Sequence, residues 1–202
     1  MSLFSIKSNG NLTCYGKRDY GKSYAMKKMI RYVSKYIPIF IYDIKHEYYG
    51  FPEIKDIRKV NFDVKKGAYR YRSRGTKEDF NLFCQIIYNA VIGNKKRRCI
   101  VVVDELQKYV STNAISKYKY FSDMVFMGRS YGLAVWCITQ RPAKIDSSIT
   151  SQSDVIISFK MDFRLDLDAV ENYFDRDSVK NLNKWEFLVY ESSKGVSKHG
   201  PL

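Results

Sequence analysis

Short apolar runs and helix-period stretches alternate along most of this chain. Runs apolar on both faces predict buried strands at Asn11–Tyr15, Pro38–Asp43, Cys99–Glu105, Leu133–Thr139, Asp154–Phe159 and Trp185–Glu191. Helical spacing predicts helices over roughly Gly21–Lys35, over Lys77–Val91 (Phe80, Phe83, Ile87 and Val91 on one face), up to about Arg129, and over Asp166–Phe174. The stretch from Val60 to Tyr71 predicts one or two short strands, and the tail SSKGVSKHGPL, from about position 192, reads as frayed. Strands alternating with helices predict an α/β fold, a mostly parallel central sheet flanked by helices. No repeat or linker divides the chain, so residues 1–202 read as one domain.

Composition narrows the class. With 45% hydrophobic and 28% charged residues the chain is neither a disordered tail nor a disulfide-knotted miniprotein. No apolar run is long enough for a membrane-spanning helix, and MSLFSIKSNGNL lacks the pattern of a signal peptide. Cys14, Cys84, Cys99 and Cys137 stand far apart, three of them in apolar runs, as reduced thiols in a cytoplasm would. His46 and His199 are too few and too separated for a metal site. The net charge of +14 is the unusual feature, and it favours a polyanionic partner, nucleic acid or an anionic membrane surface.

Between the first strand and the first helix lies Gly16-Lys17-Arg18-Asp19-Tyr20-Gly21-Lys22-Ser23, a complete GxxxxGK[ST] loop with Tyr24 next to it. Its glycines let backbone N–H groups wrap phosphates, Lys22 reaches the β- and γ-phosphates, and the Ser23 hydroxyl ligates Mg²⁺. This predicts a nucleoside triphosphate site, with ATP and Mg²⁺ as its occupants. The apolar run Ile100–Val103 ends in Asp104-Glu105. There Asp104 serves the metal, and Glu105 orients and deprotonates an attacking water, which suits hydrolysis better than phosphate transfer to a small acceptor. The strand Leu133–Thr139 runs into Gln140, an amide placed to sense the γ-phosphate or position water.

The order GKRDYGKS, YDIKHEY, IVVVDE and GRSYGLAVWCITQRP resembles the HerA/FtsK superfamily of RecA-like DNA-translocating P-loop ATPases. Within it, the chain is similar to the short genome-packaging ATPases of viruses with an internal membrane, those of turreted icosahedral viruses of hyperthermophilic archaea among them. Asp43-Ile44-Lys45-His46-Glu47-Tyr48 is similar to the D-x-K-x-E-Y pattern of that superfamily. The resemblance implies Lys22, Glu105 and Gln140 as catalytic residues and Ser23 and Asp104 as metal ligands. It implies Arg129 as an arginine finger acting on a neighbouring subunit, with Arg141 as the alternative. The implied partners are double-stranded DNA, further copies of this chain in a ring (a hexamer or pentamer), and capsid or internal-membrane proteins. The implied location is the host cytoplasm, docked on a procapsid or virion vertex.

Two segments carry the expected DNA contacts. Lys117 and Lys119, in the Tyr-rich stretch after the Glu105 strand, read as a pore loop; Arg70, Arg72 and Arg74 interleave with aromatics as a phosphate-tracking surface. Lys95-Lys96-Arg97-Arg98 falls at the start of the Asp104 strand, away from the nucleotide, and reads as a solvated turn or docking patch.

Overall fold

A computed structural model describes residues 10–201, so the expectation for the first residues lies mostly outside it. In chain order the elements are β1 (Leu12–Tyr15), α1 (Lys22–Val33), β2 (Pro38–Asp43), β3 (Glu53–Ile54), β4 (Gly67–Arg72), α2 (Lys77–Ile92) and β5 (Cys99–Val103). They continue with α3 (Lys119–Tyr131), β6 (Leu133–Thr139), α4 (Ser147–Ser151), β7 (Val155–Ser158), α5 (Arg164–Asp168), α6 (Arg176–Lys180), β8 (Phe187–Glu191) and β9 (Gly195–His199).

The sheet has nine strands in the order β3-β4-β2-β5-β6-β1-β7-β8-β9. Strands from β3 through β7 run parallel, and β8 and β9 add an antiparallel edge. The central strands are buried along their whole length, as helices on both faces require. One face packs Phe80, Phe83, Tyr109, Phe121 and Met124 against the sheet, the other Met26, Ile30, Tyr48 and Phe159. The four cysteines are buried and unpaired, as expected of reduced thiols packed as small hydrophobes. No helix among the described residues is long and apolar enough to cross a membrane.

Three local expectations need correction. The tail is not frayed: Gly195–His199 pairs antiparallel with β8, from Glu191↔Gly195 to Phe187↔His199. Its composition hid this, because an edge hairpin strand exposed on nearly every residue carries no apolar run. The helix expected over Asp166–Phe174 is only the short α5, followed by turns, because Asp166 is turned inward to bind the segment after β6. Trp185 is not in the strand expected over Trp185–Glu191, which begins at Phe187. The stretch from Val60 to Tyr71 yields one strand, β4, within the one or two expected, and the two-residue β3, outside that stretch, is too short to show a pattern.

Asn11 joins three elements just before β1. Its amide donates to the Val125 and Gln152 carbonyls at 3.0 and 3.2 Å and accepts from the Val135 N–H at 2.9 Å. Asn11→Ala leaves these groups without partners in a nearly dry site, at a cost of about 3 kcal/mol. Thermal unfolding should show Tm lowered by roughly 5–10 °C; an unchanged Tm would mean that α3 and β6 are held without this residue.

Candidate active site

The parallel strands point their carboxyl ends at one edge, and β6 lies between β1 and β5. Tyr15 is level with Thr139, and Val103 with Cys137. The phosphate loop after β1, Gln140 after β6 and Asp104-Glu105 after β5 therefore emerge side by side.

Gly16, Asp19 and Gly21 take φ of 138°, 65° and 105°. A Cβ at Gly16 would stand 2.5 Å from that of Phe159, and one at Gly21 would stand 2.7 Å from the Trp185 indole. The loop can thus follow its path only with glycine at these two positions. It is braced on both flanks: the Lys17 N–H donates to the Lys160 carbonyl at 2.9 Å and the Trp185 N–H to the Tyr20 carbonyl at 3.2 Å. Lys17 is turned away from the loop interior to Asp162 at 2.5 Å, while Arg18 and Asp19 point into water. Lys22 begins α1 and is buried; Ser23 follows in the first turn, where unpaired N–H groups attract an anion.

Asp104 is buried, and burial pushes its carboxyl up to about 6 against the pull of Lys22. Its Oδ1 accepts the Glu105 N–H at 2.9 Å. Glu105 has a φ of 53°, a left-handed conformation that costs a side-chain-bearing residue about 1–3 kcal/mol. Its carboxylate is gripped from three directions: Lys45 Nζ and Gln140 Nε2 (2.7 Å) donate to Oε1, and Gln107 Nε2 (2.5 Å) to Oε2. Gln107 in turn accepts the Thr139 hydroxyl at 2.5 Å. Burial alone would raise the Glu105 carboxyl, but the Lys45 hydrogen bond and charge, with Gln140 and Lys22, leave it below the usual carboxylate range.

Lys22, Ser23, Lys45 and Gln140 line one cleft of about 380 Å³, closed at its far side by Lys184 and Trp185. Trp185 also has a left-handed φ, 73°, and its ring meets Tyr24 edge-on at 5.4 Å. Sequence reasoning gave no role to Lys45, Gln107, Lys184 or Trp185. Lys45 was marked only by its place in the D-x-K-x-E-Y pattern, Lys184 and Trp185 only by the segment KNLNKWEFLVY, similar to the closing strand of that superfamily's sheet, and Gln107 by no motif.

The residues present fit Mg²⁺. A buried carboxylate raised by desolvation gains from a cation, and Ser23 supplies a hydroxyl across the cleft. No cluster of three or more His, Cys, Asp or Glu suited to a metal occurs among the described residues. Mg²⁺ needs none, since it binds through one or two protein oxygens together with waters and phosphate.

The two finger candidates part company. Arg129 lies in the last turn of α3, at the amino ends of the strands, ion-paired with Asp154. Its own chain does not bring it to the phosphate loop. Arg141 sits at the nucleotide edge, its Nε 2.7 Å from Asp166 Oδ2 and its guanidinium 4.6 Å from the Phe163 ring centre. Among the expected DNA contacts, Arg70 needs correction. Its side chain is largely buried, 2.6 Å from Glu53 and 3.6 Å from Asp43, because β4 lies inside β3 and turns this residue onto its neighbours. Arg72, Arg74, Lys117 and Lys119 are exposed near the carboxyl edge. The segment bearing Lys117 is not a free loop, since Ser111 bridges to Ile145 and the Ile115 N–H donates to Asp146 at 3.3 Å.

Because Asp104 holds its proton to higher pH than an unfolded aspartate does, its charge costs stability above about pH 6, and that cost is relieved as pH falls toward 4. Asp104→Asn should raise the stability of the nucleotide-free protein at neutral pH by on the order of 2 kcal/mol, with the gain fading in acid. Calorimetry at several pH values checks this; a loss at neutral pH would mean that Lys22 depends on this charge more than burial opposes it.

No protein-family model matches the chain. It is similar to Protein P9 of Pseudoalteromonas phage PM2, 27% identical over 142 residues. That match takes in 68% of this chain and 62% of the relative, so the chain spans less than two thirds of the curated relative's length. Among solved structures it is similar to the genome packaging NTPase B204 from Sulfolobus turreted icosahedral virus 2 in complex with AMPPCP (TM-score 0.82, 20% identity, 97% of this chain and 99% of that one). B204, the DNA-packaging ATPase from Sulfolobus Turreted Icosahedral Virus, superposes with a TM-score of 0.70 at 23% identity, over 96% of this chain and 98% of that one. VirB4 of Thermoanaerobacter pseudethanolicus does so with a TM-score of 0.73 at 12% identity, over 96% and 90%. The chain shares the P-loop NTPase fold of these proteins, an α/β fold with a mostly parallel central sheet.

Proposed function

We propose that this chain is a Mg²⁺-dependent ATPase motor, a single P-loop domain that drives double-stranded DNA into a viral capsid. The observation that carries the reading is the Glu105 carboxylate, held ionised beside Gln140 and over the phosphate loop. Lys22 and the loop N–H groups hold the β- and γ-phosphates. Ser23 and Asp104 hold Mg²⁺, which when bound neutralises charge on the phosphate oxygens. Glu105 takes a proton from water as the water oxygen bonds to the γ-phosphorus and the bond to the β–γ bridging oxygen breaks, leaving ADP and phosphate.

Lys45 and Gln140 occupy one oxygen of the carboxylate that receives this proton, and Gln107 the other. An arriving γ-phosphate competes for Lys45 and Gln140 and so releases the base only when there is something to hydrolyse. Trp185 and Tyr24 give the base end of the cleft an aromatic wall, suited to stacking a nucleobase.

The motor acts as a ring of copies docked on capsid or internal-membrane proteins in the host cytoplasm. Arg129 reaches a neighbour's site in trans at the cost of its exposed pair with Asp154; Arg141 is the alternative. Lys117, Lys119, Arg72 and Arg74 follow the DNA backbone. A second reading keeps the same chemistry in a DNA pump outside packaging, since the fold is shared with VirB4 as well as with the packaging proteins.

Steady-state ATP hydrolysis with and without duplex DNA tests the reading. DNA should stimulate turnover, and Glu105→Ala should lower it by about 10²–10⁴-fold. Turnover indifferent to DNA would leave a nucleotide-gated recruitment module, and phosphate on an acceptor in place of water would mean a kinase. Tryptophan emission tests the base wall separately. Trp136 is fully buried, so quenching by ATP that inorganic triphosphate does not reproduce, and that Trp185→Phe abolishes, is the expected result. Equal quenching by triphosphate would remove Trp185 from base binding.

A further inference from the structure

A cleft larger than the nucleotide cleft opens at the other edge of the sheet. It lies at the amino ends of β4, β2 and β5, has a volume of about 570 Å³, and is lined in part by Tyr36, Phe62, Lys65, Lys96, Arg97 and Arg98. We propose that this edge is a second binding surface, one that takes the phosphodiester backbone of nucleic acid; the inference rests on the reading of the chain as a DNA motor.

Topology gathers the charge. Strands β4, β2 and β5 are neighbours, level at Pro38↔Gly67 and Ile39↔Ile100, so the turns that precede them converge at one edge. Those turns carry Lys35, Lys65, Lys66, Lys95, Lys96, Arg97 and Arg98 against a single carboxylate, Asp63. Asp63 is already spent on Arg97, whose Nε lies 2.8 Å from it and whose other arm donates to the Ala90 carbonyl at 3.1 Å. Arg97 is therefore a structural tie. Lys35, Lys65, Lys66, Lys95, Lys96 and Arg98 are exposed, and none has a carboxylate partner among the described residues. Holding six like charges together opposes folding through mutual repulsion, and a polyanion relieves it.

The shape selects among polyanions. With β2 between its neighbours, Lys65 stands on one side of the cleft and Lys96 and Arg98 on the other, so cations flank a groove that a phosphate chain can enter. An anionic membrane would favour a flat patch with protruding aliphatic side chains. Here the exposed rings are Tyr36, at 70%, and Tyr32 edge-on to it, Phe62 is half-buried inside the cleft, and Ile92 at the end of α2 is a partly exposed aliphatic side chain. A tyrosine rim on a basic groove suits a nucleic-acid strand, whose sugars and bases can pack on the ring. The edge lies at the far end of the strands from the phosphate loop, so its occupant does not compete with nucleotide.

The test is duplex binding, followed by fluorescence anisotropy over a range of salt concentrations, with a variant carrying Lys65→Ala, Lys66→Ala, Lys95→Ala and Lys96→Ala. The expected result is affinity lowered at least about tenfold, with the slope of log affinity on log salt shallower by about 2–4. DNA-independent hydrolysis should stay unchanged. A variant that binds duplex with wild-type affinity and slope overturns the surface but leaves the motor reading standing. A wild-type chain that binds no DNA overturns both. If the variant keeps its DNA affinity but no longer sediments with phosphatidylglycerol vesicles, the edge serves a membrane and the proposal fails.

Discussion

The carboxyl edge of this sheet carries a constraint to which the rest of the site answers: Lys22, Asp104 and Glu105 are taken out of water together. Burying any one of them alone would cost several kcal/mol. Lys22 offsets part of the cost for both carboxylates, and Lys45 completes the balance by bonding Glu105. The compensation is uneven. Glu105 receives three donors and stays ionised, whereas Asp104 receives one backbone N–H and is left wanting a cation. Two adjacent carboxylates are thereby given different properties, a fixed charge and a hungry one, by the number of donors each can reach. A Mg²⁺–triphosphate would supply a cation to Asp104 and anions to Lys22 and Lys45, and so would answer this imbalance.

That arrangement was legible in the sequence where it rests on order along the chain. A GxxxxGK[ST] loop after one strand, an acidic pair after another and a glutamine after a third fix which residues meet once the sheet is parallel, because parallel strands present all their carboxyl ends at one edge. Neighbours that depend on side-chain reach were not legible. Lys45 meets Glu105 from 60 residues away, and only the loop geometry set by Asp43, which accepts the Glu47 and Tyr48 N–H groups, brings it there. Trp185 reads as the start of a strand because it leads, past Glu186, into the apolar run Phe187–Tyr190, and its left-handed backbone has no signature in residue type. Arg70 shows the opposite failure. An arginine among tyrosines has the composition of a nucleic-acid surface, yet a two-residue strand beyond β4 was enough to cover it.

The two edges of the sheet are joined rigidly. Helix α1 begins at Lys22 in the phosphate loop and ends at Val33, directly before Ser34, whose carbonyl accepts the Gly67 N–H at 2.7 Å in the basic edge. Helix α2 likewise runs from just after Arg74 to the turn holding Lys95 and Lys96. Both pack on a sheet whose two faces are closely filled with aromatic and aliphatic side chains, and a core packed at crystal-like density transmits displacement instead of absorbing it. In the proposed motor, a change at the γ-phosphate would be carried through this body to both edges. DNA held at the basic edge would then move with the nucleotide of the same copy. The stroke would arise between copies, as one subunit turns against the next.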